Sequence, residues 1–274
     1  FSENKYQGSE KWSEMLCKDV MAAVEGSYAR RYAMEWDNVG LLVGRDDKEI
    51  ERIYLALDAV DEVIAEAAEW GADLLVTHHP LIFGGMKQIT NQDFIGRRVL
   101  ELARRDICYY AMHTNYDVCG MADLSGRKMG IRAPEVLEVT QDGEEGPVGI
   151  GRIGDAGQKM TLKECARKVK EAFGLSHVKV FGDLEENTAR IAICPGSGKS
   201  VIGEAIRKGA DVLITGDIGH HEGIDSVAQG LSIIDAGHYG VEHIFIEDMK
   251  QYIKEHFAGV EVAGAPVAHP FQIV

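Results

Sequence analysis

The chain has 274 residues, 45% of them hydrophobic, with 29 basic against 44 acidic side chains and a formal net charge of −15. That length suffices for a large core in one or two domains. The acidic balance excludes non-specific nucleic-acid binding, which needs a basic surface. No apolar run reaches the roughly 18 residues of a membrane span.

The five cysteines, at 17, 108, 119, 165 and 194, form no C-x-x-C pair. Reduced thiols and a cytoplasmic location are therefore expected. Residues 3–9 resemble a viral-protease tag site with its scar, so residues 1–14 are read as a tag or disordered leader, with translation starting at Met15.

Met15, Leu16, Val20, Ala23 and Val24 space out a short amphipathic helix over 15–25. Glu35-Trp36-Asp37-Asn38 then runs into an apolar strand that ends near Gly44. Two readings stay open here. The polar residues either cap a turn, or Trp36, Asp37 and Asn38 lie beside a site.

Strands are expected at 52–57, 73–77 and 107–112, with helices at 61–70, 92–104 and 122–130. This alternation predicts a mostly parallel sheet with right-handed crossovers. Residues 131–187 are richer in glycine, with short strands at 134–139, 147–153 and 177–181 around a helix at 161–173. Alternation then resumes with strand 190–194, helix 200–208, strands 211–215 and 231–236, helix 241–256 and strand 259–263.

The second alternating stretch copies the first. Residues 52–77 and 190–215 share eleven identities in 26 positions, at a constant offset of 138. Gly71-Ala72-Asp73-Leu74-Leu75-Val76-Thr77 faces Gly209-Ala210-Asp211-Val212-Leu213-Ile214-Thr215. An internal duplication is the reading adopted. The fold class is thus α/β, with two interlinked lobes: 15–130 with 238–274, and an inserted lobe at 131–237.

The copies diverge where chemistry is expected. In open α/β sheets ligands bind beyond the carboxyl ends of strands. There the first copy has His78-His79-Pro80 and the second Gly216-Asp217. Adjacent extended residues point to opposite faces, so two neighbouring ions could take one imidazole each. A further strand in each half ends in a histidine followed four residues on by a carboxylate: His113 with Asp117, and His238 with Glu242. If a helix begins near 238, His238 and Glu242 share one face within reach of one ion. Imidazole with carboxylate suits Zn, Mn, Fe, Co or Ni rather than Ca or Mg.

Other motifs carry less. Cys194-Pro195-Gly196-Ser197-Gly198-Lys199-Ser200 looks like a phosphate loop, but the required first glycine is Ile193, and a tight strand-to-helix turn is expected instead. For His220-His221-Glu222, metal ligation, support of the site and a solvent loop all stay open. His243 points away from Glu242 on a helix, and His177, His256 and His269 have no partners in sequence.

Trp36-Asp37-Asn38-Val39-Gly40, Thr77-His78-His79-Pro80-Leu81-Ile82-Phe83, His113-Thr114-Asn115-Tyr116-Asp117, Thr215-Gly216-Asp217 and Gly237-His238 with Glu242 together resemble a known family. It is the dinuclear-metal family called GTP cyclohydrolase I type 2 homologues, or interacting-factor-three-like proteins. The resemblance covers residues 15–274. It implies two divalent transition-metal ions per chain, between the lobes, on His78, His79, Asp117, His238 and Glu242, with Glu242 as the bridge. His113 stands behind the ligands. It also implies a homo-oligomer, a toroidal hexamer with the metal pairs facing its interior. The implied function is metal-dependent hydrolysis of a nucleotide-like small molecule. The alternative is a non-catalytic metal-binding or regulatory protein acting through protein partners.

Overall fold

The structure is a computed structural model that describes residues 15–144 and 146–274; the expected tag or leader at 1–14 lies outside them. Helix α1 (Cys17–Ser27) precedes strands β1 (Gly40–Val43) and β2 (Arg52–Ala56). Then come α2 (Asp61–Trp70), β3 (Leu74–Thr77), α3 (Phe94–Arg104) and β4 (Cys108–Ala111). A helical stretch follows, with α4 (Thr114–Tyr116), a π-turn at Asp117–Met121 and α5 (Ala122–Met129).

The second half opens with a long hairpin, β5 (Arg132–Gly143) and β6 (Gly146–Thr161), then α6 (Leu162–Phe173) and β7 (Lys179–Phe181). It continues with β8 (Asn187–Ser197), α7 (Ile202–Arg207), β9 (Val212–Gly216), α8 (His220–Ala228) and β10 (Ser232–Asp235). Helices α9 (His238–Glu242) and α10 (Ile244–His256) lead to β11 (Glu261–Gly264).

The strands form two sheets, in the orders β1-β4-β3-β2-β11 and β5-β6-β8-β9-β10-β7. Strands β4, β3, β2 and β11 run parallel, as do β8, β9 and β10. Among the named strands, the antiparallel pairs are the flanking ones: β1 on β4, β7 on β10, and β5 and β6 beside β8. The fold is the α/β architecture expected, with the duplicated strands supplying the parallel part of each sheet.

The shared residues of the two copies do the same local work. Gly71 and Gly209 turn the chain at φ +81 and +69, a region glycine enters without steric cost. Asp73 Oδ2 accepts from the amides of Glu51 and Arg52, and Asp211 Oδ2 from those of Ala189 and Arg190. The Asp73 amide donates to the Arg52 carbonyl, and the Asp211 amide to the Arg190 carbonyl, both at 2.9 Å. In both halves the aspartate thus sets the register of the two parallel strands.

Burial alternates along the strands as the two-residue pleat requires. Ile53, Leu55, Leu74, Val76, Cys108 and Tyr110 face one core, whereas Tyr54, Leu75, Tyr109 and Ala111 face another. The first of these cores also holds Ile191, Ile193, Val212 and Ile214 of the second sheet, with Phe173 of α6 and Phe245 of α10. One continuous core therefore joins the inner faces of both sheets.

Three elements differ from expectation. The hairpin β5–β6 is much longer than the strands read at 134–139 and 147–153, because glycines interrupt its apolar pattern. The expected helix 241–256 begins earlier, at His238, and is divided at His243. Residues 220–228 form α8, although His220-His221-Glu222 gives no apolar start signal. All five cysteines are free, and no helix among the described residues is long and apolar enough to cross a membrane.

Candidate metal centre

Carboxyl ends of parallel strands from both sheets deliver the polar residues to one place. His78 and His79 follow β3, His113 follows β4, and His238 follows β10. The turn after β3 is pinned from behind. Tyr109 Oη donates to the His79 carbonyl at 3.0 Å and accepts from the Leu81 amide at 2.8 Å. Thr77, fully buried, donates from Oγ1 to the same His79 carbonyl.

Each histidine is anchored through Nδ1. His78 donates to the Met112 carbonyl at 2.8 Å and His79 to Asp58 at 2.7 Å. His113 donates to Asp37 at 2.9 Å and His238 to Asp217 at 2.8 Å. A proton held at Nδ1 by an acceptor leaves Nε2 as the lone-pair nitrogen of a neutral ring.

The free nitrogens of His78, His79 and His238 converge on Glu242, which is buried at 3% exposure. Oε2 lies 3.0 Å from His79 Nε2 and 3.0 Å from His238 Nε2, and these two nitrogens are 3.1 Å apart. Oε1 lies 3.6 Å from His78 Nε2, which is 3.4 Å from Asp117 Oδ1. The carboxylate thus divides its oxygens between two groups of donors: His79 with His238, and His78 with Asp117. His113 shares a third cluster with His78 and His79.

These residues fit divalent metal ions on three counts. Bonds of about 2.0–2.1 Å to a common ion, at angles near 90–110°, leave donor atoms roughly 3–3.4 Å apart, close to the spacings seen. His78 Nε2, Asp117 Oδ1 and Glu242 Oε2 are buried without hydrogen-bond partners, a costly state unless an ion satisfies them. Among the described residues, the ion-pair partners of Asp117 and Glu242 are imidazoles alone. Without an ion, protons must balance the charge. Burial disfavours charged His78, but Asp117 and Glu242 outweigh it and hold the ring well above the usual histidine range. Burial likewise opposes charge on His238, while Glu242 and Asp217 raise it to about 9. Burial pushes the Glu242 carboxyl up, yet the facing histidines hold it well below the usual range.

A family model described as Duf34/NIF3 (NGG1p interacting factor 3) matches residues 15–269. The chain belongs to the Duf34/NIF3 family. It is 34% identical over 264 residues to a GTP cyclohydrolase 1 type 2 homolog of Clostridium perfringens, covering 95% of this chain and 100% of that protein. A homolog of the same name from Streptococcus pneumoniae is 38% identical over 248 residues, covering 88% and 91%. Among solved structures, a hypothetical protein of Staphylococcus aureus superposes with TM-score 0.86 at 28% identity, over 95% of this chain and 100% of that one. Reduced HcgD from Methanocaldococcus jannaschii gives 0.79 at 29% identity, over 92% and 98%.

Within this Duf34/NIF3 fold the residues singled out in sequence separate into three groups. His78, His79, Asp117, His238 and Glu242 meet at the cluster. Asp37 accepts from the His113 ring and from the Thr114 amide at 3.0 Å, so it both orients His113 and caps α4. Asn38 Nδ2 donates to the Ile82 carbonyl at 2.6 Å, and Trp36 lies edge-on to His113 at 5.9 Å. His220 and His221 do not join. They are exposed on α8, pack against each other at 5.2 Å, and lie outside every donor cluster among the described residues.

Three contributors were not read from the sequence in these roles. Asp58 lies just beyond the end of β2, a strand-end carboxylate that could have been weighed. Asp217 occupies the position that His79 holds in the first copy, at the 138-residue offset, and there it receives the His238 ring. Gly196, in the segment resembling a phosphate loop, has φ +82, and a Cβ there would lie 2.5 Å from Glu242 Oε1. That segment is the tight turn expected, and its glycine leaves room for the buried carboxylate.

Proposed function

We propose that this chain is a dinuclear metal protein that hydrolyses a nucleotide-like small molecule. The observation that carries this reading is Glu242, whose two oxygens face two different sets of donors. In this reading His78 and Asp117 would hold one divalent ion and His79 and His238 the other, with Glu242 shared between them. The donor set suits Zn, Mn, Fe, Co or Ni. Ions held there supply Lewis-acid polarisation of a substrate oxygen and lower the pKa of water.

The chain's own residues do the positioning. Asp58, Asp217 and the Met112 carbonyl fix the histidine tautomers and ring planes, which keeps each Nε2 directed inward. Trp36, His113, Glu138, Cys194 and Ser200 help line a cavity of about 490 Å³ that also reaches Asp117, His238 and Glu242. This space admits a small molecule at the cluster. The names of the curated relatives support a purine nucleotide as the first substrate to try. On the family resemblance we further propose a cytoplasmic toroidal hexamer with the sites facing its interior.

The test is a panel of nucleotides and phosphoesters assayed with Mn, Zn and Fe. Turnover abolished by chelation and by Asp117→Ala is expected. Tight metal binding with no turnover across the panel would favour a non-catalytic metal-binding role.

A further inference from the structure

The cluster is open on a second side. A cleft of about 700 Å³ shares His113 and His238 with the first cavity and adds His79. Its walls are chemically different. Phe83 and Phe94, each 55% exposed, face it together with Leu81, Ile95, Tyr239 and Pro270. Asp58, His79, His113 and His238 stand together in its lining. Arg98, the one cation among its described lining residues, is already engaged. Its Nε donates to Asp61 at 2.9 Å and its guanidinium lies 5.1 Å over the Phe94 ring. Its charge is therefore paired with Asp61. The first cavity is lined by the carboxylates of Asp117, Glu138 and Glu242 with no lysine or arginine among its described residues. That wall suits water and cations.

We propose that the cleft binds a planar, uncharged ring of the ligand, with the polar group attached to that ring directed at His79 and His238. A ligand site is typically an apolar, aromatic-lined concavity with few convergent polar groups, and this cleft meets that description beside the donors. The proposal rests on the metal reading above. It adds which cavity is used and which end of the ligand enters.

The experiment titrates zinc-loaded protein with acetohydroxamate and benzohydroxamate by calorimetry. Both carry the same metal-directed head, and only the second carries a ring. Burying a ring-sized apolar group favours benzohydroxamate by about tenfold or more. The Phe83→Ala/Phe94→Ala variant is expected to lose that advantage and keep acetohydroxamate binding. Both phenylalanines are largely exposed, and the single variants, each losing part of the advantage, serve if the double variant does not fold.

Equal affinity of the two probes for the parent protein would overturn the proposal. So would an advantage that survives in the double variant. Failure of acetohydroxamate to bind protein with verified zinc content would overturn the metal reading itself, and the proposal with it.

Discussion

His79 and His238, 159 residues apart in the chain, bring their Nε2 atoms within 3.1 Å of each other. Both rings are committed at Nδ1 to carboxylates, Asp58 and Asp217. Two neutral imidazoles so held would face each other lone pair to lone pair, which is repulsive. A cation between them, proton or metal, resolves the conflict.

The carboxylates behind the rings therefore have a measurable role. Asp58→Ala is expected to weaken metal binding about 10–100-fold, since such partners hold a ligand's tautomer and orientation. Asp217→Ala should do the same through His238. Competition against a chelator of known affinity measures this. Unchanged affinity in both variants would separate these aspartates from the site.

Gly196 is the next point of sensitivity. Its backbone lies at φ +82, and a Cβ would lie 2.5 Å from Glu242 Oε1. Gly196→Ala is expected to cost about 1–3 kcal/mol from backbone strain alone and to displace the carboxylate. Chemical denaturation together with metal content checks both parts. A variant with parental stability and full metal content would contradict the packing described.

Metal loading should raise stability, because the native fold assembles donors from β3, α9 and the π-turn after α4 that the unfolded chain leaves scattered. The size of the effect should depend on pH. In the metal-free protein His238 is raised to about 9, by Glu242 and Asp217 against the opposing burial. Its contribution to metal-free stability is full below the unfolded value near 6.5 and is lost as pH rises through 9. An ion must displace that proton, so apparent metal affinity rises over the same window. The gap in melting temperature between metal-loaded and metal-free protein should widen from about pH 6.5 to 9. A gap that narrows with pH would contradict the proton–metal competition.

Much of the fold was legible because it is written locally. Gly71 and Gly209 mark helix ends, Asp73 and Asp211 sit at strand starts, and apolar runs of strand length follow them. His78, His79, His113 and His238 were visible because each follows such a run. Asp58 and Gly196 were not. Asp58 acts on a residue 21 positions away, across two strands, and Gly196 matters only because α9 places Glu242 against it. Neither relationship leaves a periodic trace. His220 and His221 show the converse: a conspicuous pair in sequence, placed by α8 on the surface.

The central claim is that Glu242 joins two metal ions. Glu242→Gln keeps the size and removes the charge that holds two dications together. Elemental analysis of protein loaded at stoichiometric metal and then desalted tests it most directly. The account predicts two ions per chain in the parent protein and fewer than two in a folded Glu242→Gln, with His79→Ala keeping some occupancy at the position of His78 and Asp117. Two tightly held ions per chain in Glu242→Gln would contradict it.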